Sequence, residues 1–105
     1  MSNNYLGKTK SIYLNEKKFN SLQKSARFQM LVYVNRTIFF VPLPNLAKTF
    51  SHQAVIVNEK TGIPEQVYYD HITTIVVDGI HFEVKATPSS NFFSKIYWRL
   101  SERFA

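Results

Sequence analysis

The stretch Ile-Thr-Thr-Ile-Val-Val-Asp-Gly-Ile-His-Phe-Glu-Val-Lys, residues 72–85, decides the fold. An Asp-Gly pair between two runs of alternating apolar residues is the strongest short-range signal for a β-hairpin. The apolar pattern fixes the register, because a slip of one residue would turn the whole apolar set to the opposite face. We therefore predict a two-residue turn at Asp78-Gly79 and an apolar core face made by two cross-strand pairs, Val77 with Ile80 and Ile75 with Phe82.

The residues that follow the hairpin predict a helix. Thr87 suits the N-cap position and Pro88 the first helical position. Apolar residues then recur at helical spacing on one broad face, at Phe92, Phe93, Ile96, Tyr97, Leu100 and Phe104. We expect an amphipathic helix over residues 88–104 that packs on the sheet and closes the domain.

A second helix is predicted near the beginning of the chain. Residues 1–7 read as a loose start, and Ser11–Leu14 as a short strand. Asn15 is a good N-cap, and Glu16 stands in the first turn, where the helix dipole favours an acidic side chain. We expect a basic helix over residues 15–27, with its apolar stripe at Phe19, Leu22 and Ala26.

Residues 28–85 carry the predicted sheet. The strand-like runs are Phe28–Val34, Thr37–Val41, Gln53–Asn58, Glu65–Tyr69 and the two arms of the hairpin. Successive hairpins indicate antiparallel pairing. We predict a single α+β domain over residues 1–105: a small curved antiparallel sheet or partly open barrel of about six strands, with an N-terminal helix and a closing C-terminal helix.

Positive charge is concentrated in the first third of the chain. The net charge is +6, and residues 37–105 contain equal numbers of acidic and basic side chains, so residues 1–36 carry all of it. A local positive field attracts acidic proteins, anionic surfaces and nucleic acid. The alternative explanation is a solvated lysine-rich surface that supports solubility.

Composition and spacing argue against an enzyme. The chain has no Cys, which excludes a thiol nucleophile, disulfides and cysteine-based zinc sites. The three histidines form no metal-binding spacing, and His71, His81, Tyr68 and Lys85 match no nuclease motif. We expect no catalytic residue, no metal and no cofactor. With no membrane-spanning run and no apolar signal-peptide core, the expected location is cytoplasmic.

Basic and aromatic residues together give the candidate partner-binding set. Trp98 lies away from the apolar face of the predicted C-terminal helix, so it is a candidate anchor for an interface or a base, unless another part of the chain covers it. The candidate residues are Lys8, Lys10, Lys17, Lys18, Lys24, Arg27, Arg36, Lys95, Trp98 and Arg99.

Several segments resemble bacterial PH-like and GRAM-like domains. Leu31–Leu43 is similar to their strand–turn–strand, and Tyr68–Ile75 to a strand that carries a tyrosine and spaced isoleucines. Ile80–Lys85, followed by the segment 91–100, resembles their last strand and closing helix. The resemblance covers roughly residues 28–104. It implies a non-catalytic module that recognises an acidic partner, either a protein segment or an anionic surface.

Two other families share part of the signal. Val67–Ile72 resembles a strand of Sm-like proteins, and Arg27–Val32 leading to Ile38–Pro42 resembles ComK-type competence regulators. Both would imply a basic nucleic-acid-binding regulator. A third interpretation, based on small size and the lack of catalytic groups, is a phage- or plasmid-type inhibitor that docks on a host protein.

Overall fold

A computed structural model of the protein describes residues 9–85. These residues form one α-helix, eight β-strands and a short 3-10 turn at Tyr69–His71. The helix is α1 (Glu16–Ser25), and the strands are β1 (Lys10–Tyr13), β2 (Met30–Val34), β3 (Thr37–Phe40), β4 (Lys48–Thr49), β5 (Gln53–Asn58), β6 (Pro64–Tyr68), β7 (Thr74–Val77) and β8 (Ile80–Lys85).

All eight strands belong to one curled sheet. Its order is β1-β8-β7-β2-β3-β5-β4, and β6 pairs with the remaining edge of β5. The pairs are antiparallel except for the first, because β1 runs parallel to β8 with Lys10 opposite Phe82 and Tyr13 opposite Lys85. The protein is therefore a small α+β structure built on a mixed sheet.

This sheet corrects the prediction of about six antiparallel strands. The strand expected at Ser11–Leu14 exists as β1, but its partner lies more than 70 residues away, at the opposite end of the described chain. An antiparallel hairpin can be predicted from the turn residues between its two strands. A parallel pair is joined by a long crossover, which carries no such local sequence pattern. The sequence does not predict β4, because its two residues are too few to show the alternating pattern of a strand.

Helix α1 begins where the sequence placed it and ends earlier. The side chain of Asn15 accepts a hydrogen bond of 2.8 Å from the backbone N–H of Lys18, which confirms the N-cap. The predicted helix extended to residue 27, but Ala26 has an extended backbone, with φ −72° and ψ 134°. The helix stops there because the next three backbone amides bind a distant carboxylate, described below.

The hydrophobic core lies between α1 and the face of the sheet that we call the inner face. Phe19 and Leu22 of the helix are buried against it, as their helical spacing predicted. The inner face and its surroundings contribute the rest of the core: Leu14, Met30, Val32, Phe39, Val41, Ala54, Ile56, Val67, Tyr69, Ile72, Ile75 and Val77. Side chains that alternate with these along the strands point to the opposite, outer face.

The Asp78-Gly79 hairpin has the predicted register. Both turn residues have positive φ, 49° and 87°, and the strands pair Val77 with Ile80 and Ile75 with Phe82. One part of the prediction was wrong, because Ile80 is 50% exposed. Strand β1 covers β8 only from Phe82 onward, so Ile80 extends beyond the edge of its neighbour.

Some predictions fall on residues that the structure does not describe. They are the loose start at residues 1–7, the C-terminal helix at 88–104, and the candidate residues Lys8, Lys95, Trp98 and Arg99.

Candidate functional site

The loop between α1 and β2 is held by a single carboxylate. One oxygen of Asp78 accepts hydrogen bonds from the backbone N–H groups of Phe28 (2.7 Å) and Gln29 (3.0 Å), and the other accepts from Arg27 (2.9 Å). The backbone N–H of Asp78 also donates to the Gln29 carbonyl at 2.9 Å. The turn of the β7–β8 hairpin therefore fixes the conformation of a loop about 50 residues earlier in the sequence.

These bonds also set the charge state of Asp78. Hydrogen bonds from the amides of Arg27, Gln29 and Phe28 stabilise the carboxylate and hold the pKa of Asp78 below its ordinary value of 3.8. Asp78 is therefore ionised at neutral pH and remains an acceptor for all three amides. The loop is anchored as long as this charge is present.

Acid is expected to release this loop at an unusually low pH. Because the folded pKa of Asp78 is depressed, its anchoring is complete above the ordinary carboxyl value and is lost only as the pH falls through the lower, folded pKa. In an NMR titration, the amide protons of Arg27, Phe28 and Gln29 should shift together, with a midpoint below 3.8. Asp78→Asn should abolish the shared transition. Three independent midpoints, or a shared one above 3.8, would contradict the assignment.

The anchored loop presents an aromatic side chain to solvent. Phe28 is 83% exposed, the most exposed of the large hydrophobic residues in the described part of the chain. Two neighbouring grooves meet at this ring. The first, of about 430 Å³, is lined by Gln23, Lys24, Ala26, Arg27, Phe28, Leu43, Pro44 and Leu46. The second, of about 380 Å³, is lined by Phe28, Gln29, Met30, Leu31, Phe40, Val41, Pro42, Leu43 and Glu59.

The first groove combines apolar and basic groups. Lys24 comes from the last turn of α1 and Arg27 from the anchored loop, and both are exposed. No acidic side chain is among the residues that line this groove. We call six of the residues that line this groove the Phe28 surface: Lys24, Arg27, Phe28, Leu43, Pro44 and Leu46.

The other predicted binding residues are spread over the fold. Lys17 and Lys18 lie in the first turn of α1, and Lys10 lies on the edge strand β1. Arg36 is in the β2–β3 turn, at the opposite end of β2 from Arg27. Of the six candidates that lie within residues 9–85, the structure brings two, Lys24 and Arg27, together in one groove with an exposed aromatic ring.

Sequence reasoning missed the role of Phe28 and of loop 42–47. The sequence predicts Phe28 as the first residue of a strand, because an apolar residue next to a strand-like run is typical of a core position. Arg27 is one of the candidate binding residues, whereas the adjacent Phe28 is not. One sequence signal could have located the site. The short connection between the helix and the following strand, Ala-Arg-Phe-Gln, contains a bulky apolar residue.

The polar aromatic residues of the sheet have structural partners. The hydroxyl of Tyr69 donates to the Phe50 carbonyl at 2.7 Å, and burial raises the pKa of Tyr69 to about 12. Tyr69 is therefore a protonated donor near neutral pH. The rings of Tyr68 and His71 make an edge contact with centroids 5.4 Å apart. Within residues 9–85, no three acidic or histidine side chains are placed to hold a metal ion.

Comparisons with protein-family models, with curated proteins and with solved structures find no match to this chain. Among the helices of residues 9–85, none has the length and apolar character needed to cross a membrane.

Proposed function

We propose that the protein is a non-catalytic binding module of PH-like type, which binds an acidic protein segment at the Phe28 surface. The observation that carries the proposal is the exposure of Phe28 on a loop whose backbone is already fixed. Aromatic residues dominate the energy of protein interfaces, and a fixed loop loses little conformational entropy when it binds.

The shape of the surface supports an apolar anchor in the partner. Leu43, Pro44 and Leu46 line the first groove together with the basic residues. One of these three residues, Leu43, packs against the core cluster. The groove thus combines apolar side chains, one of them supported by the core, with polar and basic groups, which suits one inserted apolar side chain of an acidic segment.

The charges define the rest of the partner. Lys24 and Arg27 line the first groove together with the exposed ring of Phe28, which Glu59 does not, and the carboxylate of Asp78 accepts three backbone hydrogen bonds from the loop. An acidic segment would be attracted to this surface and oriented on it. Two cations beside one ring favour a protein segment over nucleic acid, whose affinity grows with the number of phosphates neutralised.

A peptide selection tests this proposal without knowledge of the natural partner. The full chain is immobilised and used to select from a phage-displayed library of random peptides, and the selected peptides are measured by calorimetry. We expect enrichment of acidic peptides with one apolar or aromatic residue. Phe28→Ala should weaken their binding about 30-fold, the equivalent of a 2 kcal/mol hot spot. Lys24→Ala with Arg27→Ala should reduce both the affinity and its dependence on salt.

The matched control is Tyr68→Ala, which removes a half-exposed aromatic ring that lines neither groove. It should leave the affinity unchanged. Peptides without acidic bias, or peptides that bind wild type and Phe28→Ala equally, would contradict the proposal. A single-stranded oligothymidylate is measured in parallel. If it binds more tightly than the peptides, with a steep salt dependence and sensitivity to Phe28→Ala, the surface is a nucleic-acid site instead.

A further inference from the structure

The outer face of the sheet carries a continuous apolar row. The cross-strand register places Val76 of β7 opposite Leu31 of β2, Leu31 opposite Phe40 of β3, and Phe40 opposite Val57 of β5. These four side chains alternate with the core residues along their strands, so they share the face opposite the core. Pro64 of β6 stands opposite Val57 and extends the row.

This row is more apolar than a solvated sheet face usually is. A sheet with one face on the core normally shows polar residues on the other. Here Val76 is only 6% exposed although it is not part of the core cluster, and Leu31, Phe40 and Val57 are half-buried. Two residues of the row, Leu31 and Phe40, also line the second groove, which has a volume of about 380 Å³.

The one α-helix of residues 9–85 does not occupy this face. Helix α1 packs Phe19 and Leu22 into the core on the inner face. The sequence predicts a second amphipathic helix that packs on the sheet. The inner face, which carries Ile75 and Val77, is already filled by the core.

We propose that residues 86–105 pack across the outer face, with their apolar residues on the row formed by Val76, Leu31, Phe40 and Val57. The segment follows Lys85 at the end of β8, next to β7, and supplies six apolar residues at helical spacing: Phe92, Phe93, Ile96, Tyr97, Leu100 and Phe104.

The lengths agree with this assignment. The row crosses three strand spacings from β7 to β5, which is roughly 14 Å. Residues 92–104 in a helix would measure roughly 20 Å, enough to cover the row. The six residues 86–91 can span roughly 20 Å, more than the distance of about 13 Å back along β8 from Lys85 to the level of the row.

The charges agree as well. The predicted helix carries Lys95, Arg99 and Arg103 along one flank. The outer face offers Glu59, which lines the second groove, and Glu83, whose position on β8 alternates with Phe82 and Val84. Basic groups beside these carboxylates would orient the segment on the sheet.

Paramagnetic NMR on the full chain tests the proposal. The protein has no Cys, so Ser101→Cys provides a single site for a nitroxide label on the flank of the predicted helix. We expect the label to broaden the amide signals of Leu31, Phe40 and Val57, and to leave those of α1 unaffected. As the matched control, a label at Ser21→Cys, on the exposed side of α1, should leave the amides of the outer row unaffected.

Three results would overturn the inference. Broadening of α1 by the Ser101 label would place the segment on the inner side of the sheet. Broadening of no amide in residues 9–85 would mean that the segment does not dock. Broadening of the outer row only when labelled protein is mixed with unlabelled, nitrogen-15-enriched protein would show that a second copy covers the face. None of these results depends on the Phe28 surface, so they are independent of the proposed function.

Discussion

Phe19→Ala is expected to lower the free energy of unfolding by about 3–5 kcal/mol, as for other fully buried phenylalanines. Phe19 is 0% exposed and belongs to the core cluster between α1 and the sheet. Its ring packs against Tyr69 with centroids 5.6 Å apart and a tilt of 36°. The substitution removes this apolar contact and leaves a cavity that the rigid sheet can close only partly. Urea unfolding followed by circular dichroism measures the change.

The matched control is the same substitution at Phe28. Because Phe28 is 83% exposed, Phe28→Ala removes the same atoms without opening a cavity, and the change should stay within about 0.5 kcal/mol. The contrast would also show that Phe28→Ala is a folded variant suitable for the binding measurements. Equal losses at the two positions would contradict the burial of Phe19 or the exposure of Phe28.

Gln23→Leu is expected to cost about 3 kcal/mol, although it replaces a polar residue by an apolar one in a buried site. Gln23 is 1% exposed. Its side-chain oxygen accepts from the Ala47 N–H at 2.9 Å, and its amide nitrogen donates to the Ala47 carbonyl at 3.2 Å and to Asn20 at 2.8 Å. The side-chain amide of Gln23 thus hydrogen-bonds both the N–H and the carbonyl of Ala47, as the backbone of a neighbouring strand would. Leucine would leave both backbone groups of Ala47 without these partners.

Two further variants separate the lost hydrogen bonds from other effects. Lys24→Leu, at the adjacent exposed position, should change stability by no more than about 0.5 kcal/mol. Gln23→Glu introduces a carboxyl group beside two acceptor oxygens, which should raise the pKa of that carboxyl above its unfolded value. The variant should therefore gain stability as the pH falls, because only the protonated acid can donate to the Ala47 carbonyl. A stable Gln23→Leu, or a Gln23→Glu insensitive to pH, would contradict this role of Gln23.

Features governed by local rules could be predicted from the sequence. The Asp78-Gly79 turn, the Asn15 N-cap and the bounds of β5 and β8 follow from residues within a few positions of each other. Asn35 at the β2–β3 turn has the positive φ of 57° that its residue type permits. Each of these depends on backbone sterics or a neighbouring hydrogen bond, which short sequence patterns express directly.

Features that depend on distant contacts could not be predicted. Gln23 reads as a surface position of a polar helix, because its partner, Ala47, is 24 residues away. The turn alone explains why an Asp stands at position 78. No nearby residue indicates that its carboxylate also binds the amides of residues 27–29. The candidate site arises from this second role. Sequence reasoning therefore found two of its basic residues and none of the structure that assembles them.

The parallel pairing of β1 with β8 has a consequence for how the protein forms during synthesis. Lys10 and Phe82 are neighbours in the sheet, so β1 leaves the ribosome long before its only described partner strand. Pairing β1 with β8 closes a long loop of chain. The entropic cost of this closure must be overcome before the contact stabilises the protein. The central hairpins can assemble first, and β1 can join only after β8 is made. Completion of the sheet is therefore a late step of folding, and the newly made N-terminal strand must wait unpaired until then.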